Sequence, residues 1–138
     1  DIVVLIHDGN RPMISQDVIT DGLVKQKRYG SAVAVIPTTE VVFVSKDGIR
    51  SDEALNRDEL WRTQTPHVYR FDELWAVHAQ ALADGVTNMA ASCSLMQKYG
   101  QTTYFSKGSE KNIKITTVED IEIFKALLHA KNDAWIKE

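Results

Sequence analysis

The stretch Asp1-Ile2-Val3-Val4-Leu5-Ile6-His7-Asp8-Gly9-Asn10-Arg11-Pro12 decides the fold class. Its run of five β-branched or leucine residues, Ile2 to Ile6, predicts a strand buried on both faces, the pattern of central strands in parallel sheets. Such a strand needs neighbours on both edges and helices above and below. A chain that opens on it is expected to be the C-terminal part of a longer domain, truncated at its N-terminus. The polar residues from His7 to Pro12 then fall just past the strand's carboxyl end, where open α/β sheets place their ligands.

Working outward, the pattern alternates between strand and helix. Ser15 is a good N-cap, Asp17 suits a helix start, and Lys25, Lys27 and Arg28 gather before Gly30, so Ser15 to Tyr29 reads as a helix with Gly22 as a weak spot. Ala32 to Ile36 is a short apolar strand closed by Pro37, and Val41 to Val44 is a third, turned by Lys46-Asp47-Gly48. Ile49 to Asp58 is polar and irregular, which makes Thr38 to Glu59 an excursion from the core. Phe71, Leu74, Trp75, His78, Ala81 and Leu82 keep helical spacing and predict a helix from Phe71 to Asp84, ended by Gly85. Ala90 to Tyr99 is a shorter helix, while Thr103 to Ser106 and Ile113 to Ile115 are strand candidates. Thr116 and Glu119 form a capping box for a last helix bearing Ile121, Phe124, Leu127 and Leu128. The order predicts an α/β fold, a mostly parallel, doubly wound, Rossmann-like sheet with a protruding β-arm.

Composition narrows the function. The 138 residues hold 16 Lys and Arg against 19 Asp and Glu, a net charge of −3, with 43% hydrophobic and 25% charged residues. These are globular values. The acidic balance, without a basic block, argues against nucleic acid or an anionic membrane as partner. No apolar run approaches the ~20 residues of a membrane span. The single Cys93 fits a reducing, cytoplasmic setting.

Three segments carry candidate chemistry. In His7 to Pro12, Asp8 can accept hydrogen bonds from hydroxyls and Arg11 offers a planar fork to a phosphate; a polar loop with a turn-capping Asp is the plain alternative. Asn56 to Pro66 places Arg57 and Arg62 near hydroxyl and amide side chains, as an anion grip or a solvated charge run. In Lys111-Asn112-Ile113-Lys114-Ile115-Thr116, strand alternation sets Lys114 and Asn112 on the face opposite Ile113 and Ile115, beside a helix start. The four histidines lack metal-site spacing, and Cys93 reads as a packed small residue.

The order strand-His-Asp-x-x-Arg-Pro, Arg-x-x-Leu-Trp-x-x-x-Thr-Pro and Asn-Ile-Lys-Ile-Thr-x-x-Glu-Asp resembles the C-terminal half of the methylerythritol-phosphate cytidylyltransferases and their relatives, the ribitol-phosphate cytidylyltransferases. The likeness runs from about Val3 to Leu128. It implies transfer of a cytidylyl group from CTP to a small polyol phosphate, with release of pyrophosphate and with Mg²⁺ held mainly by the CTP phosphates. It further implies that Asp8 binds polyol hydroxyls, Arg11 lies at the substrate phosphate, Arg57 and Lys114 position that phosphate, and Thr65 donates to it. The excursion from 38 to 59 would be a β-arm that clasps a second subunit, making a homodimer in which Arg57 serves the neighbour's site.

This chain departs from that pattern. Glu40-Val41 stands where the family has Asp-Thr, and Met89-Ala90 where it has Thr-Asp, which leaves the acceptor polyol open. The Gly-rich loop that cradles the CTP phosphates in the family has no counterpart in these residues. A cytidylyltransferase half and a non-catalytic fragment that binds a sugar phosphate or only dimerises are both compatible with the sequence.

Overall fold

The computed structural model describes residues 2–137. Its elements are β1 (Val3–Ile6), α1 (Gln16–Tyr29), β2 (Ser31–Pro37), β3 (Val42–Val44), β4 (Glu53–Leu55), a 3-10 turn (Arg57–Glu59), β5 (Trp61–Arg70), α2 (Phe71–Ala83), α3 (Ser92–Lys98), β6 (Phe105–Lys107) and α4 (Val118–Lys137). Four strands form one sheet in the order β1-β5-β2-β6, and β3 and β4 pair as a separate ribbon. β5 runs antiparallel to both β1 and β2, and β6 is parallel to β2, so three of the four strands point the same way.

Helices cover both faces, as in a doubly wound sheet. On one face α1 packs on β2, β5 and β6, and Gly22 lets it approach closely: a Cβ there would stand 3.2 Å from Val68 Cγ2. On the other face Val33, Val35 and Tyr69 pack against Val77 and Ala81 of α2 and against Cys93, Leu95 and Met96 of α3. The alternation along β2 explains this, since successive side chains of a strand point to opposite faces. Ser15 caps α1 by accepting the Val18 N–H, and Gly30 ends it at φ 97°, a left-handed turn that suits glycine.

Several expectations change. β1 is half-exposed and pairs with β5 alone among the described residues. β5 runs through the second half of Asn56 to Pro66, which the sequence offers only as an anion grip or a solvated charge run; Arg62 and Thr63 are held in the strand by pairing with Ile36 and Val35 of β2. Ile49 to Asp58 contains β4, paired Val42 to Leu55 and Val44 to Glu53, so the excursion is an ordered ribbon. Ile113 to Ile115 forms no strand, and β6 lies two residues beyond its expected start at Thr103. The last helix is capped one residue later than read, with Asp120 N–H donating to Thr117 Oγ1 and the Asp120 carboxylate accepting from the Thr116 and Thr117 amides. In α2 the buried stripe is Val77 and Ala81, while Trp75 and Leu82 stand 66% and 76% exposed.

The interruption in β5 positions the site. Val33 pairs with His67 and Val35 with Thr63, so Ala34 alone stands opposite Gln64, Thr65 and Pro66. Two extra residues bulge out of the strand there, as bulges beside functional sites often do. Pro66, which lacks an N–H to give to the ladder, sits within the bulge after a cis Thr65-Pro66 bond. β1 ends at Ile6 opposite His67, so the loop after it passes beside the bulge.

Candidate functional site

Three chain segments meet at the bulge: the loop from His7 to Pro12, residues 63–67 of β5, and the segment from Ser109 to Thr116. Asn112 ties them together and is 0% exposed. Its Nδ2 donates to the Thr65 carbonyl at 2.7 Å and to Gln64 Oε1 at 3.3 Å. Its own carbonyl accepts Arg11 Nη1 at 2.7 Å. Gln64 in turn donates to the Ser109 carbonyl and accepts the Ser109 N–H. Asn10 and Ile115 exchange two hydrogen bonds, Ile115 N–H to the Asn10 carbonyl and Asn10 Nδ2 to the Ile115 carbonyl. Lys114 is held by this backbone pairing, in a loop and not in the expected strand.

The junction borders a cavity of about 380 Å³ lined by Asp8, Arg11, Thr65 and Lys114, with Gln64, His67, Ala91 and Ser92 among its other walls. Arg11 Nε donates to Asp8 Oδ2 at 3.1 Å, which leaves Asp8 Oδ1 without a partner among the described residues. Lys114 is exposed and has no carboxylate partner among the described residues. Two cations against one paired carboxylate make the cavity fit an anionic ligand. A larger groove of about 560 Å³ runs along α2 between Trp75, Leu82, Val86 and Leu95, but it is apolar and far poorer in converging charge.

Two histidines to which the sequence assigned no role order the cavity. The Arg11 carbonyl, 2.9 Å from His7 Nε2, can only accept, so we assign the ring proton to Nε2 and leave Nδ1 as acceptor. Thr65 Oγ1, 2.9 Å from that Nδ1, therefore donates its hydrogen to His7 and also accepts the Asp8 N–H at 3.0 Å. His67 follows the same logic. Nε2–H donates to the Gln64 carbonyl at 2.9 Å and Nδ1 accepts from Ser92 Oγ at 2.8 Å. Burial holds His67 below the usual histidine range, against the opposing pull of that carbonyl. Burial likewise pushes the Tyr69 phenol up to about 12. A histidine directly after a strand and another directly after Thr-Pro were the only sequence signals for these roles.

Of the residues singled out in the sequence, Asp8, Arg11, Thr65 and Lys114 come together on this cavity and Arg57 does not. Arg57 starts the 3-10 turn beside the ribbon and donates Nη1 to the Thr39 carbonyl at 3.0 Å. Ala90 also lines the cavity, so the replacement read at Met89-Ala90 makes that wall apolar. Among the described residues no three His, Cys, Asp or Glu side chains converge as a metal site. Asp8 is the cavity's sole carboxylate and is engaged by Arg11, so these side chains do not fit a resident Mg²⁺.

Residues 1–130 match the family model described as "IspD: 2-C-methyl-D-erythritol 4-phosphate cytidylyltransferase". The chain is 36% identical over 133 residues to a ribitol-5-phosphate cytidylyltransferase of Lacticaseibacillus paracasei, covering 95% of this chain and 57% of that protein. It is 35% identical over 127 residues to a 2-C-methyl-D-erythritol 4-phosphate cytidylyltransferase of Clostridium novyi, covering 91% and 54%. The crystal structure of the Thermus thermophilus 2-C-methyl-D-erythritol 4-phosphate cytidylyltransferase superposes with a TM-score of 0.83 at 26% identity, over 92% of this chain and 62% of that one. The chain thus spans little more than half the length of the curated relatives it matches.

Proposed function

Because this chain belongs to the 2-C-methyl-D-erythritol 4-phosphate cytidylyltransferase family, we propose that it supplies the acceptor-binding and dimer-forming half of a CTP-dependent cytidylyltransferase. The acceptor is a small polyol phosphate, methylerythritol phosphate or an alditol phosphate such as ribitol 5-phosphate. The observation that carries this reading is the convergence of Asp8, Arg11, Thr65 and Lys114 on one cavity from three distant segments.

In the proposed reaction a phosphate oxygen of the polyol phosphate attacks the α-phosphorus of CTP. One P–O bond forms, the bond to the bridging oxygen breaks, and pyrophosphate leaves. The nucleophile is already an anion, so the protein's work is to hold two anions together and offset charge at phosphorus. Arg11 and Lys114 hold the acceptor phosphate, and Asp8 Oδ1 accepts from the polyol hydroxyls. Thr65 contributes a hydroxyl, and Arg57 is supplied by the second subunit through the ribbon. Mg²⁺ enters as part of the CTP complex, where it neutralises phosphate charge.

The test measures binding and turnover separately. Ribitol 5-phosphate and methylerythritol phosphate are titrated into the chain by calorimetry, and pyrophosphate release is followed with CTP and Mg²⁺. We expect one acceptor to bind this chain and Lys114→Ala to weaken it, with pyrophosphate released only by the full-length protein. Failure of both acceptors to bind, or turnover by this chain alone, overturns the proposal.

A further inference from the structure

The hydrogen bonds of Thr65 conflict with the role of anion donor, and the conflict can be counted. A hydroxyl has one hydrogen to give and two lone pairs to receive. In this structure the hydrogen goes to His7 Nδ1 at 2.9 Å and one lone pair takes the Asp8 N–H at 3.0 Å. What remains toward the cavity is a lone pair, which repels an anionic oxygen. Thr65 is buried, so its hydroxyl has few other partners to turn to.

We infer that His7 is the positioning residue that decides whether Thr65 donates to a bound anion, and that anion binding is coupled to uptake of one proton at His7 Nδ1. The inference rests on reading the cavity as an anion site. The proton comes from solvent. Once on Nδ1 it reverses the His7–Thr65 bond, so that Nδ1–H donates to Thr65 Oγ1 while Nε2–H keeps its bond to the Arg11 carbonyl. Both lone pairs of Oγ1 are then filled, by Asp8 N–H and His7 Nδ1–H, and the freed Thr65 O–H turns to the anion. No internal hydrogen bond is lost, and the anion gains a donor.

The surroundings suit such an exchange. Of the charged and titratable groups nearby, Asp8 and Arg11 share the loop of His7, His67 stands opposite Ile6 in the β1–β5 pairing, and Lys114 lines the cavity that Thr65 borders. An anion bound in the cavity favours a positive charge on the histidine that borders it through Thr65. Histidine is the side chain whose charge ordinarily changes between pH 5 and 8.

Sulfate is the probe, because it takes up no proton itself in that range. Calorimetry in buffers of differing ionisation enthalpy counts protons bound with each sulfate, and ¹⁵N imidazole shifts report the His7 state directly. We expect wild-type chain to take up a proton on binding, His7 to pass from the Nε2–H form to imidazolium, and affinity to rise as pH falls, approaching ~10-fold per pH unit. Thr65→Ser, which keeps the hydroxyl, should retain this behaviour. Thr65→Val, which keeps the shape, should lose it although His7 remains, and His7→Gln should flatten the pH profile. Proton uptake unchanged in Thr65→Val would mean simple charge attraction and overturns the inference. So does wild-type binding with no uptake and a neutral His7. If sulfate binds at no pH, the anion-site reading itself fails and takes the coupling with it.

Discussion

Arg11 Nη1 donates to the carbonyl oxygen of Asn112 at 2.7 Å, joining the loop after the first strand to a segment 101 positions later in the chain. The same guanidinium holds Asp8 through Nε. One planar fork therefore fixes two walls of the cavity, a geometry that a lysine cannot copy. Arg11→Met should cost about 2–3 kcal/mol, since charge-assisted hydrogen bonds contribute ~1.5–3 kcal/mol each and Asp8 is left without its partner. Urea denaturation measures it. Arg11→Lys should recover only part of the loss, and full recovery would show that charge alone matters.

Asn112 should be the more sensitive position for folding. Its side-chain amide bonds the Thr65 carbonyl and Gln64 Oε1, and it is fully buried. Asn112→Ala leaves the Thr65 carbonyl without its donor and Gln64 Oε1 with the Ser109 N–H alone, and opens a small void, with an expected loss of about 2–4 kcal/mol. A variant within ~0.5 kcal/mol of wild type in chemical denaturation would contradict the bracing role.

Lys114 should behave in the opposite way. Its side chain is exposed and unpaired among the described residues, so Lys114→Ala should leave stability within ~0.5 kcal/mol. If the proposed cytidylyltransferase reading holds, kcat of the full-length protein should fall ~10²–10³-fold, the usual effect of removing a donor aimed at developing charge. Steady-state kinetics with CTP and the acceptor decides, and wild-type turnover would remove Lys114 from the site.

The ribbon of β3 and β4 leaves Phe43 69% and Ile49 87% exposed. A two-stranded ribbon is marginal alone in water and its apolar side chains call for a partner. With a second copy as that partner, sedimentation should find a dimer and Phe43→Asp should shift it to monomer. In the full-length enzyme, mixing Arg57→Ala with Lys114→Ala subunits should restore part of the activity. One site of the mixed dimer would carry both lesions and the other neither. No recovery despite demonstrated mixing would overturn the exchange of Arg57 between subunits.

His67 makes stability depend on pH. The unfolded chain takes up this proton near pH ~6.5, whereas burial holds the folded value lower. Below that pH the unfolded state binds more protons, so stability falls as the pH drops from ~6.5 and levels off below the folded value. Thermal melts from pH 8 to 5 should show this fall, and His67→Gln should reduce its slope. An unchanged slope would mean that His67 is not charged on unfolding.

Local signals in the sequence were enough for α1, β2 and α2, and for the stop at Gly30. There the capping residues, apolar spacing and glycine act within a few positions, so neighbours in the chain suffice. The same locality brought Asp8 and Arg11 to notice beside a strand end. Tertiary structure alone decided that β5 begins as early as Trp61, because Arg62 and Thr63 are held by pairing with β2 and not by their own propensity. It also moved the last cap from Thr116 to Thr117, where a single hydrogen bond chooses between adjacent hydroxyls. The site followed the same division. Lys114 and Thr65 were visible as residue types, but their meeting depends on Asn112, buried between segments that the chain separates by some fifty and a hundred residues. The direction of the Thr65 hydrogen bond depends on a histidine 58 positions away. Hydrogen bonds are directional and short, and no spacing in a one-dimensional sequence records which distant donor will meet which acceptor.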